Sequence, residues 1–295
     1  MDAILDLIKD LADVDLSRYK RSSIERSVDR RMHAASVQTL SEYTSLLRND
    51  PRELHGLVSD ITVDFSFFFR DEKLFEILRQ SLLPDILSRN RASGESPLRV
   101  WCAGCGAGEE AYSIAIVLFE VLKGNADRDK ATIFATDVDP SSLRKSRAGV
   151  YTAESMKNVS SSAEDRYFLP ARRTSCPPRV PRGTLAGGEE ASGTSYRIKE
   201  FIKRMICFGK HDLLRDPPIS RIDLLMCRNV LIYLDKEGQA AALRRLRYAL
   251  RPGGYLVLGK SESLTEGVSD SFAVVDLAYK IFRRKGDDKW PFSYQ

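Results

Sequence analysis

The sequence predicts an α/β protein: a doubly wound, mostly parallel sheet with an antiparallel edge strand, preceded by a small all-helical domain. Three observations predict it. From residue 100 onward, short apolar runs alternate with stretches of helical periodicity, the pattern of a parallel sheet covered by helices on both faces. Residues 98–116 pass from an apolar run through Gly104-x-Gly106-x-Gly108 into a helical stripe. Strand, glycine turn and helix in that order bring bare backbone amides against a nucleotide or similar cofactor. Before that, the apolar residues recur at helical spacing only.

Ile4, Leu7, Ile8 and Leu11 form a first stripe, Ile24, Val28 and Met32 a second, and Leu40, Tyr43, Leu46 and Leu47 a third that ends near Asn49-Asp50-Pro51. Residues 61–71 carry four phenylalanines around Asp64, Ser66 and Arg70 and read as a hydrophobic hinge that packs the small domain on the large one. Residues 100–103 form the first strand, and Ile114, Val117, Leu118 and Val121 the helix after it. The second strand, 132–136, ends at Asp137 and gives way to a helix through Leu143. Residues 205–208 are a third strand, and 222–227 a fourth that runs into Arg228-Asn229. A helix over 238–250 closes on Arg251-Pro-Gly-Gly254, a strand covers 255–259, and a last pair of short strands lies between 273 and 282. Residues 170–195, rich in Pro, Gly and Ser and lacking apolar periodicity, read as a mobile surface insertion.

Composition excludes several classes of function. No apolar run approaches a bilayer span, and the acidic start is not that of a secretory signal. Five cysteines, Cys102, Cys105, Cys176, Cys207 and Cys227, are scattered and odd in number, as in a reduced, cytoplasmic protein. Cys102 and Cys105 form a C-x-x-C, but with no second close pair and only His33, His55 and His211 to assist, they are small residues lining a turn and no metal is expected. The net charge of +5 concentrates between Arg18 and Arg31 and again at Arg244, Arg245, Arg247 and Arg251. Nucleic-acid binders show a stronger excess with interleaved aromatics, so an acidic protein partner is expected and a nucleic acid is not.

The residues that could carry chemistry converge on one edge of the predicted sheet. A third glycine at position 109 would complete a dinucleotide fingerprint, but Glu109-Glu110 stand there. Two carboxylates at a helix N-terminus suit a cationic ligand better than a pyrophosphate. S-adenosyl-L-methionine fits, with its sulfonium, its ammonium and two ribose hydroxyls, although tight glycine turns also occur for structural reasons alone. Asp137 stands where an α/β cofactor site places an acid for ribose hydroxyls, while Asp139 can cap the next helix. Arg228-Asn229 ends the fourth strand on the same edge, with Tyr233 four residues beyond Asn229; a surface arginine and a core tyrosine are the plainer readings. Arg70 beside the phenylalanine wall would be partly desolvated, which strengthens its pull on a carboxylate.

Taken in order, Phe68-Phe-Arg-Asp, Gly108-Glu-Glu-Ala-Tyr-Ser, Ala135-Thr-Asp-Val-Asp, Arg166-Tyr-Phe, His211-Asp-Leu-Leu and Cys227-Arg-Asn-Val-Leu-Ile-Tyr resemble the CheR family of chemotaxis receptor glutamate methyltransferases, from about residue 15 to residue 283. The resemblance implies the methyltransferase version of the doubly wound fold, with residues 1–64 a helical substrate-recognition domain, 65–97 a linker and packing helix, and 98–295 the cofactor-binding domain with an inserted subdomain at about 165–204. It implies transfer of the methyl group of S-adenosyl-L-methionine to glutamate side chains on receptor signalling helices, leaving S-adenosyl-L-homocysteine, by a cytoplasmic monomer that does not enter the membrane. Carried over by position, cofactor contacts fall on Asp64, Ser66, Arg70, Glu110, Asp137, Asp212, Leu213, Arg228 and Asn229, beside Gly104 and Gly106 of the turn, and the catalytic candidates are Arg70 and Tyr233. Asp64 stands where the family usually has Asn, Ser66 where it has Thr, and Asp212 where some members have Asn. In some members the inserted β-subdomain docks a receptor's C-terminal pentapeptide; here residues 170–195 lack strand periodicity, which argues against it. Arg26 and Arg30, one turn apart opposite Ile24, Val28 and Met32, are the candidate substrate-recognition residues for an acidic receptor helix. A cofactor-binding sensor or scaffold without turnover is the alternative; a dinucleotide-dependent oxidoreductase is disfavoured by the missing glycine and the lack of a hydride-relay histidine.

Overall fold

The computed structural model describes residues 1–62, 66–92, 94, 97–124, 131–171 and 195–286. Four helices open the chain: α1 (Asp2–Ala12), α2 (Arg21–Ala34), α3 (Leu40–Asn49) and α4 (Pro51–Thr62). Their apolar faces meet in one core around Ile8, Val28, Tyr43 and Leu57, all fully buried. Leu11 is the exception at 55% exposed, because the stripe of α1 runs one position beyond the packed face. Thr39 starts α3 with a capping box: its side chain accepts from the Glu42 N–H while Glu42 reaches back to Thr39. Arg31 of α2 donates to both carboxylate oxygens of Glu53 on α4 at 2.7 and 2.6 Å, and the Tyr43 hydroxyl of α3 donates to the same group at 2.8 Å, so one ion cluster ties three helices.

Seven strands form the main sheet in the order β6 (Ile206–Lys210), β2 (Ala131–Asp137), β1 (Leu98–Ala103), β7 (Ile222–Cys227), β8 (Leu250–Leu258), β10 (Ile281–Arg284) and β9 (Phe272–Asp276). Strands β6 through β8 are parallel, and β10 is antiparallel to both its neighbours. The fold class is therefore the one the alternation predicts. Strand β1 shows why: its residues are apolar on both faces, Val100 and Cys102 entering one core and Trp101 and Ala103 the other. Helices α5 (Glu72–Ile77), α6 (Leu83–Ala92), α7 (Glu109–Val121), α8 (Pro140–Ala148), α9 (Ser161–Tyr167), α10 (Glu200–Lys203) and α11 (Lys236–Ala249) follow, α7 covering the first face and α11 the second. The chain leaves β1 toward β2 on one side and later returns to β7 on the other. That reversal opens a crevice outside the carboxyl ends of β1 and β7, where open α/β sheets bind ligands.

Three details differ from the sequence reading. A second sheet, β3 (Val150–Thr152), β5 (Ser195–Ile198) and β4 (Phe168–Ala171), all antiparallel, draws two of its strands from residues 165–204, so Pro170, Ala171 and Ser195 belong to strands and not to a loop. Residues 172–194 lie outside the described residues. Leu250 opens β8 and does not end α11. Phe68 is not a hinge between domains: it sits in the core of the large domain, edge-on to Tyr151 at 4.8 Å and to Phe168 at 5.0 Å, because β3 and β4 supply the aromatic partners. At the far edge of the main sheet β9 leaves Val274 and Val275 exposed, with Leu277 just beyond it.

Candidate functional site

The glycine turn follows β1 and is shaped by two close approaches. Gly104 has φ +69°, and a Cβ on it would stand 2.4 Å from Val230 Cγ2, so any side chain would push away the loop after β7. The N–H groups of Gly104 and Cys105 donate to the Thr136 carbonyl of β2 at 2.8 and 2.9 Å. Gly106 donates its N–H to Asp137 Oδ2 at 2.8 Å, and Asp139 donates to Oδ1 at 2.9 Å. Asp137 therefore braces the turn through both carboxylate oxygens. Asp139 caps helix α8 (Pro140–Ala148) through Ser141 and Ser142 and accepts from Ser59 of α4 at 2.9 Å, joining the helical domain to this edge of the sheet.

The crevice has two chemically different ends. Tyr19, Val138, Leu213, Leu214, Val230 and Leu234 make one end apolar, with Asp137 and Asp212 at its border. Ser66, Arg70, Glu110 and Arg228 make the other end charged. Gly104, Gly106, Asn229 and Tyr233 line both. The ends measure ≈ 700 and ≈ 790 Å³ with their open mouths. Asp212 uses its Oδ1 to cap its own turn through the Leu214 N–H at 2.8 Å. Asp64 lies outside the described residues. Arg26 and Arg30 line neither end; both are exposed on α2, and Arg30 stands 3.4 Å from Asp60 of α4.

Charge at the second end is balanced by alternation. The guanidinium of Arg228 is buried and donates to Glu110 at 2.8 Å and to Asp71; Lys260 meets Asp71 from the other side at 2.5 Å. Burial pushes the Asp71 carboxyl up, but Lys260 and Arg228 outweigh it and hold the group below its ordinary value. Arg70 is presented by an unusual backbone, with Phe69 at φ 52° and Asp71 at φ 67° on either side of it. Ser113 Oγ accepts the Phe69 N–H at 2.9 Å, and Asn158 donates to the Phe69 carbonyl at 3.3 Å, which fixes this costly conformation. Tyr233 ends a 3₁₀ turn, Leu231–Tyr233, and its phenol is pushed up by burial while nearby Arg70 pulls it back.

Two orphaned nitrogens sit among the lining residues. Arg228 Nε is buried with no partner at the charged end, and so is His211 Nδ1 at the apolar end. An amino-acid carboxylate and ammonium suit Arg228 and Glu110; an adenine suits the apolar wall; ribose hydroxyls suit Asp137. The residues present thus fit S-adenosyl-L-methionine. Among the described residues no group of three or more His, Cys, Asp or Glu is arranged to hold a metal ion.

Residues 64–177 and 188–281 match the family described as CheR methyltransferase, SAM binding domain, and residues 1–62 match its all-alpha domain. The chain belongs to the CheR methyltransferase family. Its cofactor is S-adenosyl-L-methionine. A chemotaxis protein methyltransferase of Listeria monocytogenes is 31% identical over 91% of this chain and 91% of its own length. Chemotaxis protein methyltransferase 1 of Pseudomonas aeruginosa is 30% identical, again covering 91% of each chain. An uncharacterized 104.1 kDa protein of Rhodobacter capsulatus is 34% identical over 95% of this chain, which spans only 27% of that relative's length.

In this CheR chain the sequence reading missed Glu262. Buried from solvent, its carboxylate accepts from the backbone N–H groups of Val230 at 2.9 Å, Leu231 at 2.7 Å and Ile232 at 3.3 Å through Oε1. Through Oε2 it accepts from Asn229 at 3.0 Å and Gly259 at 2.6 Å. One side chain therefore holds the whole loop from Asn229, itself at φ 60°, toward Tyr233. The available signal is an acid three residues beyond the glycine that follows β8, too plain a pattern to single out. Asp71 and Lys260 were missed for the same reason: their role exists only through Arg228.

Proposed function

We propose that this protein transfers the methyl group of S-adenosyl-L-methionine to glutamate side-chain carboxylates of chemotaxis receptors, forming methyl esters for sensory adaptation. The observation that carries the reading is the pairing of Arg70 and Tyr233 at the charged end of a crevice fitted to that cofactor. When bound, the cofactor supplies an electrophilic methyl on a cationic sulfur. The acceptor needs no general base, because a glutamate with a reference pKa of about 4.3 is already ionised at neutral pH. What remains for the protein is positioning and the exclusion of water.

Arg70 aims the substrate carboxylate with its guanidinium, and Tyr233 adds a hydroxyl donor that burial keeps protonated. Arg70 must guide without quenching, since charge is neutralised as the methyl moves. Its position over the Phe67 ring, 5.9 Å from the centroid, suits that balance by occupying one face of the cation. Glu110 and Arg228 hold the amino-acid end of the cofactor, and Asp137 its ribose.

Incubation with labelled S-adenosyl-L-methionine and receptor-rich membranes tests the reading: base-labile methyl esters on receptor are expected. Binding of cofactor with no label transferred would leave a sensor or scaffold instead. Arg70→Ala is expected to lower methyl transfer at saturating cofactor by about 10²-fold, the scale of a lost positioning contact. An unchanged rate would remove Arg70 from the mechanism.

A further inference from the structure

Tyr19 belongs to the segment between α1 and α2, yet it lines the apolar end of the crevice together with Gly106, Asp137, Asp212 and Leu213. Its ring packs against two cores at once, that of the helical domain and that between the sheet and α11. The backbone around it is clamped to the loop that carries Tyr233. Tyr19 forms an antiparallel bridge with Leu234, Lys20 donates its N–H to the Tyr233 carbonyl at 2.8 Å, and Asp235 donates to the Arg18 carbonyl at 2.8 Å. Lys20 Nζ adds a bond to the Ile232 carbonyl at 2.7 Å.

This arrangement exceeds what domain packing requires. A residue that only joined two cores would serve as well with an apolar ring. Here a hydroxyl is brought to the border where Asp137 and Asp212 stand, and burial with those two carboxylates keeps the phenol protonated, as a donor. The nucleoside half of the cofactor offers acceptors at that border: the ribose oxygens and the adenine ring nitrogens.

We propose that Tyr19 is a cofactor-binding residue supplied by the helical domain, its hydroxyl bonded to the nucleoside half of S-adenosyl-L-methionine, so that cofactor binding and attachment of that domain reinforce each other. The proposal rests on the cofactor assignment and on the apolar end taking the nucleoside. Coupling of this kind is reciprocal: whatever fixes the helical domain, a receptor helix included, tightens the cofactor by the same factor.

The test uses the full chain and binding alone. S-adenosyl-L-homocysteine and adenosine are titrated calorimetrically into the wild type, Tyr19→Phe and Tyr19→Ala. Tyr19→Phe keeps the ring between the two cores and is expected to weaken both ligands roughly two- to tenfold, the span of one net hydrogen bond. Tyr19→Ala is expected to weaken them further and to abolish the slowing of amide exchange that S-adenosyl-L-homocysteine produces over residues 13–20 in the wild type. Should Tyr19→Phe bind both ligands as the wild type does, the hydroxyl contact is overturned, even if Tyr19→Ala proves too unstable to measure. Unaltered exchange over 13–20 on ligand binding to the wild type would overturn the coupling. A wild type that binds neither ligand would refute the cofactor assignment itself, an outcome distinct from the failure of Tyr19.

Discussion

Glu262 is the residue whose removal should separate folding from function most clearly. Glu262→Gln replaces one acceptor oxygen by an amide group that points donors at donors, leaving two or more loop N–H groups unsatisfied. Each such group costs about 1–3 kcal/mol when buried. The expected result is a folded protein with a lowered melting temperature and S-adenosyl-L-homocysteine affinity reduced about tenfold, because Asn229 and Tyr233 lose their fixed positions. Unchanged affinity by calorimetry would show that the loop holds itself. At this scale the sequence disclosed residues whose role depends on their place in a motif, such as Glu110 after the glycines or Asp137 at a strand end. It hid residues whose role depends on a partner distant in the chain, as Glu262 depends on residues 229–232.

Helices α2, α3 and α4 depend on a charge cluster that titrates. The Arg31 hydrogen bonds hold the Glu53 carboxyl below its usual value, against the opposing effect of burial and with help from Tyr43. A depressed carboxylate stabilises fully above the unfolded-state value, about 4.3, and its contribution disappears as pH falls through the lower folded value. Glu53→Gln is therefore expected to lose stability at neutral pH and to show a flatter decline of melting temperature below pH 5 than the wild type. Parallel acid slopes would assign the decline to other carboxylates. Elements with strong periodicity were readable in advance: β1 and β7 as apolar runs, α11 from its spacing. Strands β3, β4 and β5 were not, because three or four residues carry no period and their pairing joins segments far apart in sequence. The place of Phe68 is hidden for the same reason, since its partners belong to β3 and β4.

Over the whole molecule, the charge proposed for receptor recognition and the crevice occupy different places. The crevice lies at the carboxyl edge of the sheet, while Arg26 and Arg30 are presented on the outer side of α2. We propose that charge there acts on the approach of an acidic receptor helix and not on the chemical step. Reversing both, Arg26→Glu with Arg30→Glu, is expected to reduce kcat/KM for receptor methylation about tenfold at low salt while leaving S-adenosyl-L-homocysteine binding intact. The difference should shrink as ionic strength rises, the Debye length being about 8 Å at 0.15 M. Equal kcat/KM at all salt concentrations would make that face a solvated surface and nothing more. The fold class was legible from alternation alone, whereas the way the helical domain is fastened through Ser59, Tyr19 and Lys20 was not, since none of the three lies in a pattern.

The sheet ends on β9, where Val274 and Val275 face solvent with Leu277 beside them. Among the described residues no strand pairs with its outer side. Such an edge offers unmatched amide and carbonyl groups alongside β-branched side chains, the combination that seeds strand-to-strand stacking between copies. The practical consequence concerns colloidal behaviour: association between copies at high concentration is expected to start at this edge.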